Sequence, residues 1–333
     1  MSKLLTLPEL LAHPGMKDVI TPFAPDRAGL AEVARGRGGP IKINYEVHGT
    51  GPICMVFIMG LRAPLIAWQR QIKYFGHENG DKFSMLVFDN RGVGASDKPL
   101  MRYTTSEMAE DVIEVVDLIG WTRPKQLHVI GVSMGGMIAQ ELSYKYHDRI
   151  ASLVLQSTAA VIRSEVSFFD NMKRRAALIK PKSLEERLQA SRELLFGTKY
   201  LHSPDETGIF PTNGDRFNAE ELWKSENVNQ PPFLAFISQV VAAGWHSCSP
   251  ERLKDIANNI ENILVLYGLQ DKMIEPHHSE YLLEHLGPLR ARKAVFEDAG
   301  HAISTEHVHK YNEMVREFVE NADQQYGNNI QAS

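Results

Sequence analysis

Short apolar runs, separated by polar and glycine-rich breaks, recur along the chain. Five of them are nearly continuous, namely ICMVFI, SMLVF, QLHVI, SLVLQ and NILVLY. Runs of this kind suit strands that are covered on both faces, which is the condition of a parallel sheet. The earlier segment IKINYEV instead alternates apolar and polar residues, as a half-buried strand does, and the following GTGP predicts a turn.

Segments of helical period lie between several of these runs. Thr104 and Glu107 form a capping-box pattern, Val112 and Val116 share one helix face, and Gly120 predicts the end of that helix. Alternating strands and helices predict an α/β fold. We expect a mostly parallel central sheet with helices on both faces, because right-handed crossovers place the helices on either side.

The alternation stops in the middle of the chain, where the sequence gives helical signals only. SLEE carries a capping-box pattern, and a Pro-Pro pair precedes the apolar FLAFISQVVAAG. We interpret this part as a helical insertion, the cap segment, over the carboxyl edge of the sheet. Strands and helices then resume with NILVLYG, ARKAVFE and a last helix.

These patterns divide the chain into a core, an insertion and two ends. The predicted core comprises residues 41–157 and 251–320, and the cap segment comprises residues 158–250. Residues 1–40 are predicted to be an irregular extension that ends in the turn-rich RGRGGP. Residues 321–333 are polar, and we predict that they form a flexible tail.

Composition excludes several classes of protein. The 333 residues carry a formal net charge of −5, and lysine and arginine form no block longer than KRR, so nucleic acid and anionic membranes are not expected as main partners. Cysteine occurs twice, in no spacing typical of zinc, so we expect no metal site. MSKLLTLPELLAHPG lacks the continuous apolar region of a signal peptide, and no segment reaches the length of a membrane span. We therefore expect a cytoplasmic protein.

The stretch Gly131-Val-Ser-Met-Gly135 lies between the run QLHVI and a helical pattern. A turn this tight holds Ser133 in a sparsely populated backbone conformation, which costs about 1–3 kcal/mol. Gly131 and Gly135 relieve the crowding between strand and helix. The turn lifts the hydroxyl clear of the sheet and points the first helix amides at whatever the serine attacks. Ser133 is therefore the candidate nucleophile.

A nucleophilic serine needs a base, and the base needs an acid that orients it. His301 follows the strand ARKAVFE, in a loop that can reach Ser133, and is the candidate base. Asp271 follows NILVLYG at the same edge and is the candidate acid. Asp298 is its rival but is only three residues from His301, while Asp89 is expected to brace its own turn. The order serine, aspartate, histidine is a recognised one for such triads.

At these motifs the sequence resembles the α/β-hydrolase superfamily, in its branch of capped esterase-like and lipase-like serine hydrolases. The similar segments are FDNRGVGASD, GVSMGG, YGLQDKMIEP and DAGH, and the resemblance spans about residues 41–319. It implies backbone amides of Leu61 and Met134 as oxyanion donors. Many relatives carry His-Gly after the third strand, where this chain has Met59-Gly60. That difference changes the pocket without removing an amide.

The leading hypothesis is a cofactor-free hydrolase of carboxylic esters whose partner is a small ester with an apolar acyl group. Lactonase, thioesterase, carbon–carbon hydrolase and perhydrolase activities stay open, as does a ligand-binding receptor on the same scaffold. Ser133 argues against epoxide hydrolases and dehalogenases, which use aspartate at that turn. A dinucleotide-binding fold is excluded because Asp97 stands where its third glycine is needed. Candidates for the pocket lining are Met59, Phe168, Phe169, Phe233 and Trp245.

Overall fold

The structure is a computed structural model that describes residues 3–162 and 183–332, with side chains as far as Tyr326. In these residues eight strands form one sheet. They are β1 (Arg27–Val33), β2 (Ile41–His48), β3 (Ile53–Ile58), β4 (Phe83–Phe88), β5 (Leu127–Val132), β6 (Ile150–Gln156), β7 (Asn262–Gly268) and β8 (Ala291–Phe296).

The sheet has the order β1-β2-β4-β3-β5-β6-β7-β8. The pairs β1–β2 and β2–β4 are antiparallel, and all pairs from β4 to β8 are parallel. The predicted α/β fold with a mostly parallel sheet is therefore confirmed. Strand β5 lies between β3 and β6, so the turn that follows it is at the centre of the carboxyl edge.

The helices connect and cover these strands. They are α1 (Leu7–Leu11), α2 (Gln69–Gln71), α3 (Thr105–Leu118), α4 (Met134–Lys145), α5 (Leu184–Leu195), α6 (Thr198–His202), α7 (Asn213–Asn227), α8 (Phe233–Gly244), α9 (Pro250–Asn259), α10 (Pro276–Leu286), α11 (Ile303–Glu306) and α12 (Val308–Ala332). A 3₁₀ turn at Leu65–Trp68 and a π-helical segment at Ile72–Glu78 flank α2.

Two apolar clusters lie on opposite faces of the sheet. Buried side chains of α3, α4, α9 and α10, such as Val116 and Ile138, pack on one face. Trp68 and Phe75, from the segment between β3 and β4, join Tyr311 of α12 on the other face. The sheet is thus covered on both sides, which explains why its central strands are apolar at almost every position.

The prediction of an irregular N-terminal extension was wrong for residues 27–33, which form β1 at the sheet edge. Ala31 and Val33 are buried there, but the alternation is too short to be recognised as a strand from sequence. Earlier in the chain, residues 3–19 pack on the cap segment, where the Leu5 amide donates a hydrogen bond to Asp215 of α7 at 2.8 Å.

The C-terminal prediction also needs correction. Helix α12 continues from Val308 to Ala332, so the backbone of residues 321–332 is helical rather than a tail that leaves the helix. Neither a proline nor a capping glycine lies near Val319, so the sequence carries no signal that ends the helix there.

The described part of the cap segment contains helices α5 to α8, together with one antiparallel bridge between Val161 and Ser247. Ser183 caps α5, and Glu186 completes the predicted capping box. Pro232 precedes α8, as the sequence indicated. No helix in the described residues is long and apolar enough to cross a membrane.

Candidate active site

Ser133 lies at the turn between β5 and α4. Its φ is 56° and its ψ is −124°, a conformation that L-residues rarely adopt. The neighbouring glycines make the turn possible: a Cβ at Gly131 would be 2.4 Å from the Gly135 carbonyl oxygen, and one at Gly135 would be 2.1 Å from that of Ile58. The predicted role of both glycines, relief of crowding between strand and helix, is therefore confirmed.

Hydrogen bonds to the end of β6 hold this turn in place. The Ser133 amide donates to the Gln156 carbonyl oxygen at 2.9 Å. The Thr158 hydroxyl donates to the Ser133 carbonyl oxygen at 2.6 Å. Because both backbone groups of Ser133 are hydrogen-bonded to the end of β6 or to the residues just after it, the strained conformation is fixed before any ligand arrives.

His301 and Asp271 lie together at the ends of β8 and β7. The His301 Nδ1 atom is 2.8 Å from Asp271 Oδ2, and the two residues are 5% and 3% exposed. The other carboxylate oxygen of Asp271 accepts hydrogen bonds from the amides of Met273 and Ile274 at 2.8 and 2.9 Å. Asp271 is therefore held by its own loop and presents one oxygen to the imidazole.

The rival carboxylates have other partners. Asp298 is half-exposed and pairs with His307 at 3.1 Å and Lys199 at 3.7 Å. Asp89 is buried and accepts hydrogen bonds from the amides of Leu65 and Ala95, and burial raises its pKa. The expectation that Asp89 braces its turn is confirmed.

A cavity of about 720 Å³ opens above the carboxyl edge of the sheet, and both Ser133 and His301 line it. The loop after β3 forms part of its wall with Met59, Gly60 and Leu61. Ile58 pairs with Gly131, so this loop leaves the sheet beside the serine. A Cβ at Gly60 would be 3.0 Å from the Ser133 Cβ. The predicted nucleophile, base and Met59 thus face one space.

The two predicted oxyanion donors flank the serine. Leu61 directly follows Gly60, which lies against Ser133, and Met134 is the first residue of α4. Within the described residues, neither the Leu61 nor the Met134 amide donates a hydrogen bond to another protein group. The free amide of Met134, at the first turn of α4, suits a developing negative charge.

The predicted aromatic lining is wrong for two residues. Phe233 and Trp245 are 58% and 68% exposed and do not line the cavity. Helix α8 buries Ala235, Gln239 and Ala242, spaced by four and three residues, so Phe233 at its first position points away from the body. Phe168 and Phe169 lie outside the described residues.

Other aromatic side chains form the wall instead. Phe196 follows α5, Phe217 belongs to α7 and Phe236 belongs to α8, and all three line the cavity. Phe236 lies three residues before the buried Gln239 and therefore on a similar side of α8. This spacing could have indicated from the sequence that Phe236 faces the cavity. Phe196 and Phe217, whose ring centroids are 4.8 Å apart, carry no such local signal, because two separate helices bring them together.

Two polar residues that the sequence did not single out support the site. Gln239 accepts a hydrogen bond from the Arg62 amide at 2.9 Å and donates to the Arg91 carbonyl oxygen at 2.9 Å. Buried Glu306 accepts from the amides of Gly197 and Gly300 at 2.9 and 2.7 Å. Burial raises the pKa of Glu306 to about 7.

The cap segment also contacts the histidine loop directly. The carbonyl oxygen of Leu195, the last residue of α5, accepts hydrogen bonds from the amides of His301 at 2.8 Å and Ala302 at 3.0 Å. In the described residues, no group of three or more histidine, cysteine, aspartate or glutamate side chains could hold a metal ion.

Comparisons with known proteins agree with this architecture. A family model described as the alpha/beta hydrolase fold matches residues 55–308. The chain is 25% identical over 252 residues to the 3-oxoadipate enol-lactonase 2 of Acinetobacter baylyi. The matched segment covers 74% of this chain and 82% of that protein.

Solved structures share the fold at lower identity. A thermophilic esterase from Thermogutta terrifontis matches with a TM-score of 0.70 and 22% identity, over 89% of this chain and 99% of its own. A meta-cleavage product hydrolase from Pseudomonas fluorescens matches with a TM-score of 0.64 and 21% identity. The match covers 88% of this chain and 98% of that hydrolase. Since the family model covers most of the chain, this protein belongs to the alpha/beta hydrolase fold family.

Proposed function

We propose that this protein is a serine hydrolase that cleaves carboxylic esters through an acyl-enzyme on Ser133. One observation carries the proposal: a serine in a strained turn and a histidine share one cavity, and the histidine Nδ1 is 2.8 Å from the buried carboxylate of Asp271. A serine hydroxyl is a weak nucleophile unless a base of this kind removes its proton.

In the proposed reaction, Nδ1–H of His301 donates to Asp271, which leaves the lone pair on Nε2. Nε2 accepts the proton of the Ser133 hydroxyl as the serine oxygen attacks the ester carbonyl carbon. The amides of Leu61 and Met134 donate to the carbonyl oxygen as it becomes negatively charged. Each such donor is worth about 10²–10³ in rate.

The tetrahedral intermediate then collapses, and His301 gives its proton to the departing alcohol. Water enters, His301 takes a proton from it, and the resulting hydroxide attacks the acyl carbonyl. The second collapse returns the proton to Ser133 and releases the acid. Asp271 stabilises the imidazolium in both halves, and no cofactor takes part in these steps.

The cavity wall supports an apolar acyl group. Leu61, Val132, Phe196, Phe217 and Phe236 face the space in which the ester would lie. A lactone is a cyclic carboxylic ester and would follow the same steps. Lactones are included in the proposal because the relative from Acinetobacter baylyi is named an enol-lactonase.

Covalent labelling tests the nucleophile. A fluorophosphonate probe should label the wild-type protein rapidly, and Ser133→Ala should abolish the labelling while circular dichroism and the unfolding midpoint stay unchanged. Labelling that persists in Ser133→Ala would refute the assignment of the nucleophile.

Turnover of p-nitrophenyl esters from acetate to decanoate tests the reaction. Hydrolysis that depends on Ser133 supports an esterase. Labelling without turnover at any chain length would instead support the alternative of a ligand-binding protein that keeps the same site geometry.

A further inference from the structure

Six charged side chains of the described residues line the cavity, in addition to His301. Four are cations and two are carboxylates. The cations are Arg62, Arg70, Arg187 and Lys224, and the carboxylates are Glu220 and Glu221. The described part of the cavity wall therefore has an excess of two positive charges, although the whole chain carries a formal net charge of −5.

Both carboxylates are already paired. Arg70 Nη2 is 2.7 Å from Glu220 Oε1, and Lys224 Nζ is 2.6 Å from Glu221 Oε1. The carboxylate of Asp271 is bonded to His301 and does not line the cavity. Among the described residues, Arg62 and Arg187 have no carboxylate within ion-pair distance. The excess charge of the wall resides on these two guanidinium groups.

Arg62 is held in place next to the proposed oxyanion loop. It follows Leu61, has a φ of 62°, and its amide donates to Gln239 at 2.9 Å. Its guanidinium donates to Gln230 Oε1 at 3.1 Å. Gln230 is in turn fixed by its amide group, which donates to the Lys224 carbonyl oxygen at 2.9 Å. Hydrogen bonds to both the amide and the guanidinium of Arg62 thus fix the position of its charge.

Arg187 reaches the same cavity from another element. It lies in the first turn of α5, whose residues Leu184, Leu188 and Ser191 also contribute to the wall. Two cations from separate segments therefore face one space that is otherwise mostly apolar. Charges of one sign in a cleft with low-dielectric walls concentrate the field there and attract ions of the opposite sign.

We propose that the substrate is an ester that carries a carboxylate at a distance from the scissile bond, and that Arg62 and Arg187 recognise this carboxylate. The inference rests on the proposed ester hydrolysis at Ser133 and adds the class of ester. A neutral apolar ester gains nothing from two unpaired guanidinium groups, whereas a carboxylate accepts charge-assisted hydrogen bonds from them.

Matched substrates test the charge directly. p-Nitrophenyl hexanoate ends in a methyl group, p-nitrophenyl hydrogen adipate ends in a carboxylate, and the corresponding adipamate ends in a neutral amide. We expect kcat/KM for the adipate to exceed that for the other two by about tenfold at low salt, because each exposed ion pair contributes a factor of about two to five. A second set places the carboxylate on the alcohol side, as in m-carboxyphenyl and m-carbamoylphenyl butyrate.

Single substitutions test whether Arg62 and Arg187 cause the preference for a carboxylate. Arg62→Gln and Arg187→Gln should each lower the ratio of carboxylate to amide turnover about two- to fivefold, and Arg62→Lys should keep most of it. Arg102→Gln is the matched control, because Arg102 is exposed and lies outside the cavity, over the Trp245 ring at 5.2 Å. Raising the salt concentration from about 0.01 M to about 1 M should also reduce the ratio, since the Debye length falls from about 30 Å to about 3 Å.

The result separates this inference from the proposed function. Hexanoate turnover that is lost in Ser133→Ala supports ester hydrolysis, whatever the charge preference. Equal kcat/KM for the charged and neutral members of both sets, or a ratio unchanged in both arginine variants, would overturn the inference alone. Calorimetry on Ser133→Ala with methyl hydrogen adipate and methyl hexanoate makes the same comparison without turnover: equal affinities would also overturn it.

Discussion

The imidazole of His301 is held at Nδ1 by a carboxylate that is itself fixed by two backbone amides. At the scale of single residues, this arrangement distinguishes Asp271 from Asp298, which faces His307 and Lys199 instead. In the proposed mechanism His301 can act on Ser133 only in the correct tautomer, so we expect the partner at Nδ1 to control the reactivity of the serine.

Asp271→Asn should lower kcat by about 10⁴ and leave KM for p-nitrophenyl esters nearly unchanged, because the amide favours the wrong imidazole tautomer. Steady-state turnover of this variant is compared with that of a control, Asp298→Asn, which removes a carboxylate from the neighbouring loop. We expect the Asp298 variant to stay within a few-fold of wild type. Loss of activity in the control, with normal activity in Asp271→Asn, would reverse the assignment.

Glu306 gives a pH-dependent contribution to stability. Burial raises its pKa to about 7 from an ordinary 4.5, so the folded protein keeps a proton that the unfolded chain releases in this range. The contribution is fully present below pH 4.5 and is lost as the pH rises through about 7. Its slope is at most about 1.4 kcal/mol per pH unit.

Glu306→Gln cannot titrate and should remove this dependence. Urea unfolding between about pH 5 and about pH 8 should show that the free energy of unfolding of wild type falls relative to that of Glu306→Gln. A constant difference between the two proteins across the range would show that Glu306 does not titrate there.

At the scale of elements, the site depends on how closely β3, β5 and α4 approach one another. The start of α4 packs against the end of β3 so tightly that a Cβ at Gly135 would be 2.1 Å from the Ile58 carbonyl oxygen. This contact brings the loop of Met59 and Leu61 beside Ser133. An atom added at Gly135 would press on the carbonyl oxygens of Ile58 and Met59 and displace the loop of Leu61 from Ser133.

Gly135→Ala should therefore cost about 1–3 kcal/mol of unfolding free energy through overpacking, and it should also lower kcat. Gly244→Ala is the matched control. It changes the same atoms at the last residue of α8, where nothing lies within 4 Å of the added Cβ. That variant should be as stable as wild type or up to about 1 kcal/mol more stable. Equal effects at both positions would refute the close contact.

At the scale of the whole molecule, the N-terminal segment connects the cap segment to the sheet. Leu10 of α1 packs in one apolar cluster with Leu188 of α5 and Leu222 of α7. Further along, Asp26 accepts a hydrogen bond from the Gly49 amide at 2.7 Å, and β1 then joins the sheet edge. The N-terminal segment, from α1 to β1, thus contacts both the cap segment and the sheet.

Leu10→Ala should destabilise the protein by about 2–5 kcal/mol, because it leaves a cavity in this cluster. Leu10 is 1% exposed, whereas its neighbour Leu11 is 53% exposed and serves as the control. Leu11→Ala should stay within about 0.5 kcal/mol of wild type. Denaturant unfolding measures both, and similar values for the two variants would mean that the cluster does not contribute to stability.

Much of this fold is encoded in local pattern. The five apolar runs predicted strands β3 to β7, and the turn GVSMG predicted the strained serine, because strand periodicity and glycine requirements depend on near neighbours. The edge position of β1 and the helical continuation of α12 escaped prediction. The first has too few alternating residues, and the second lacks the stop signals on which a helix end is judged.

The sequence by itself determined the strand order along the chain, the corner at Ser133, and the loops that could supply a base and an acid. Tertiary structure decided which carboxylate meets His301, which aromatic rings face the cavity, and which cations are unpaired there. These are contacts between segments far apart in sequence. They depend on how whole helices and strands pack, and no short stretch of residues carries that information.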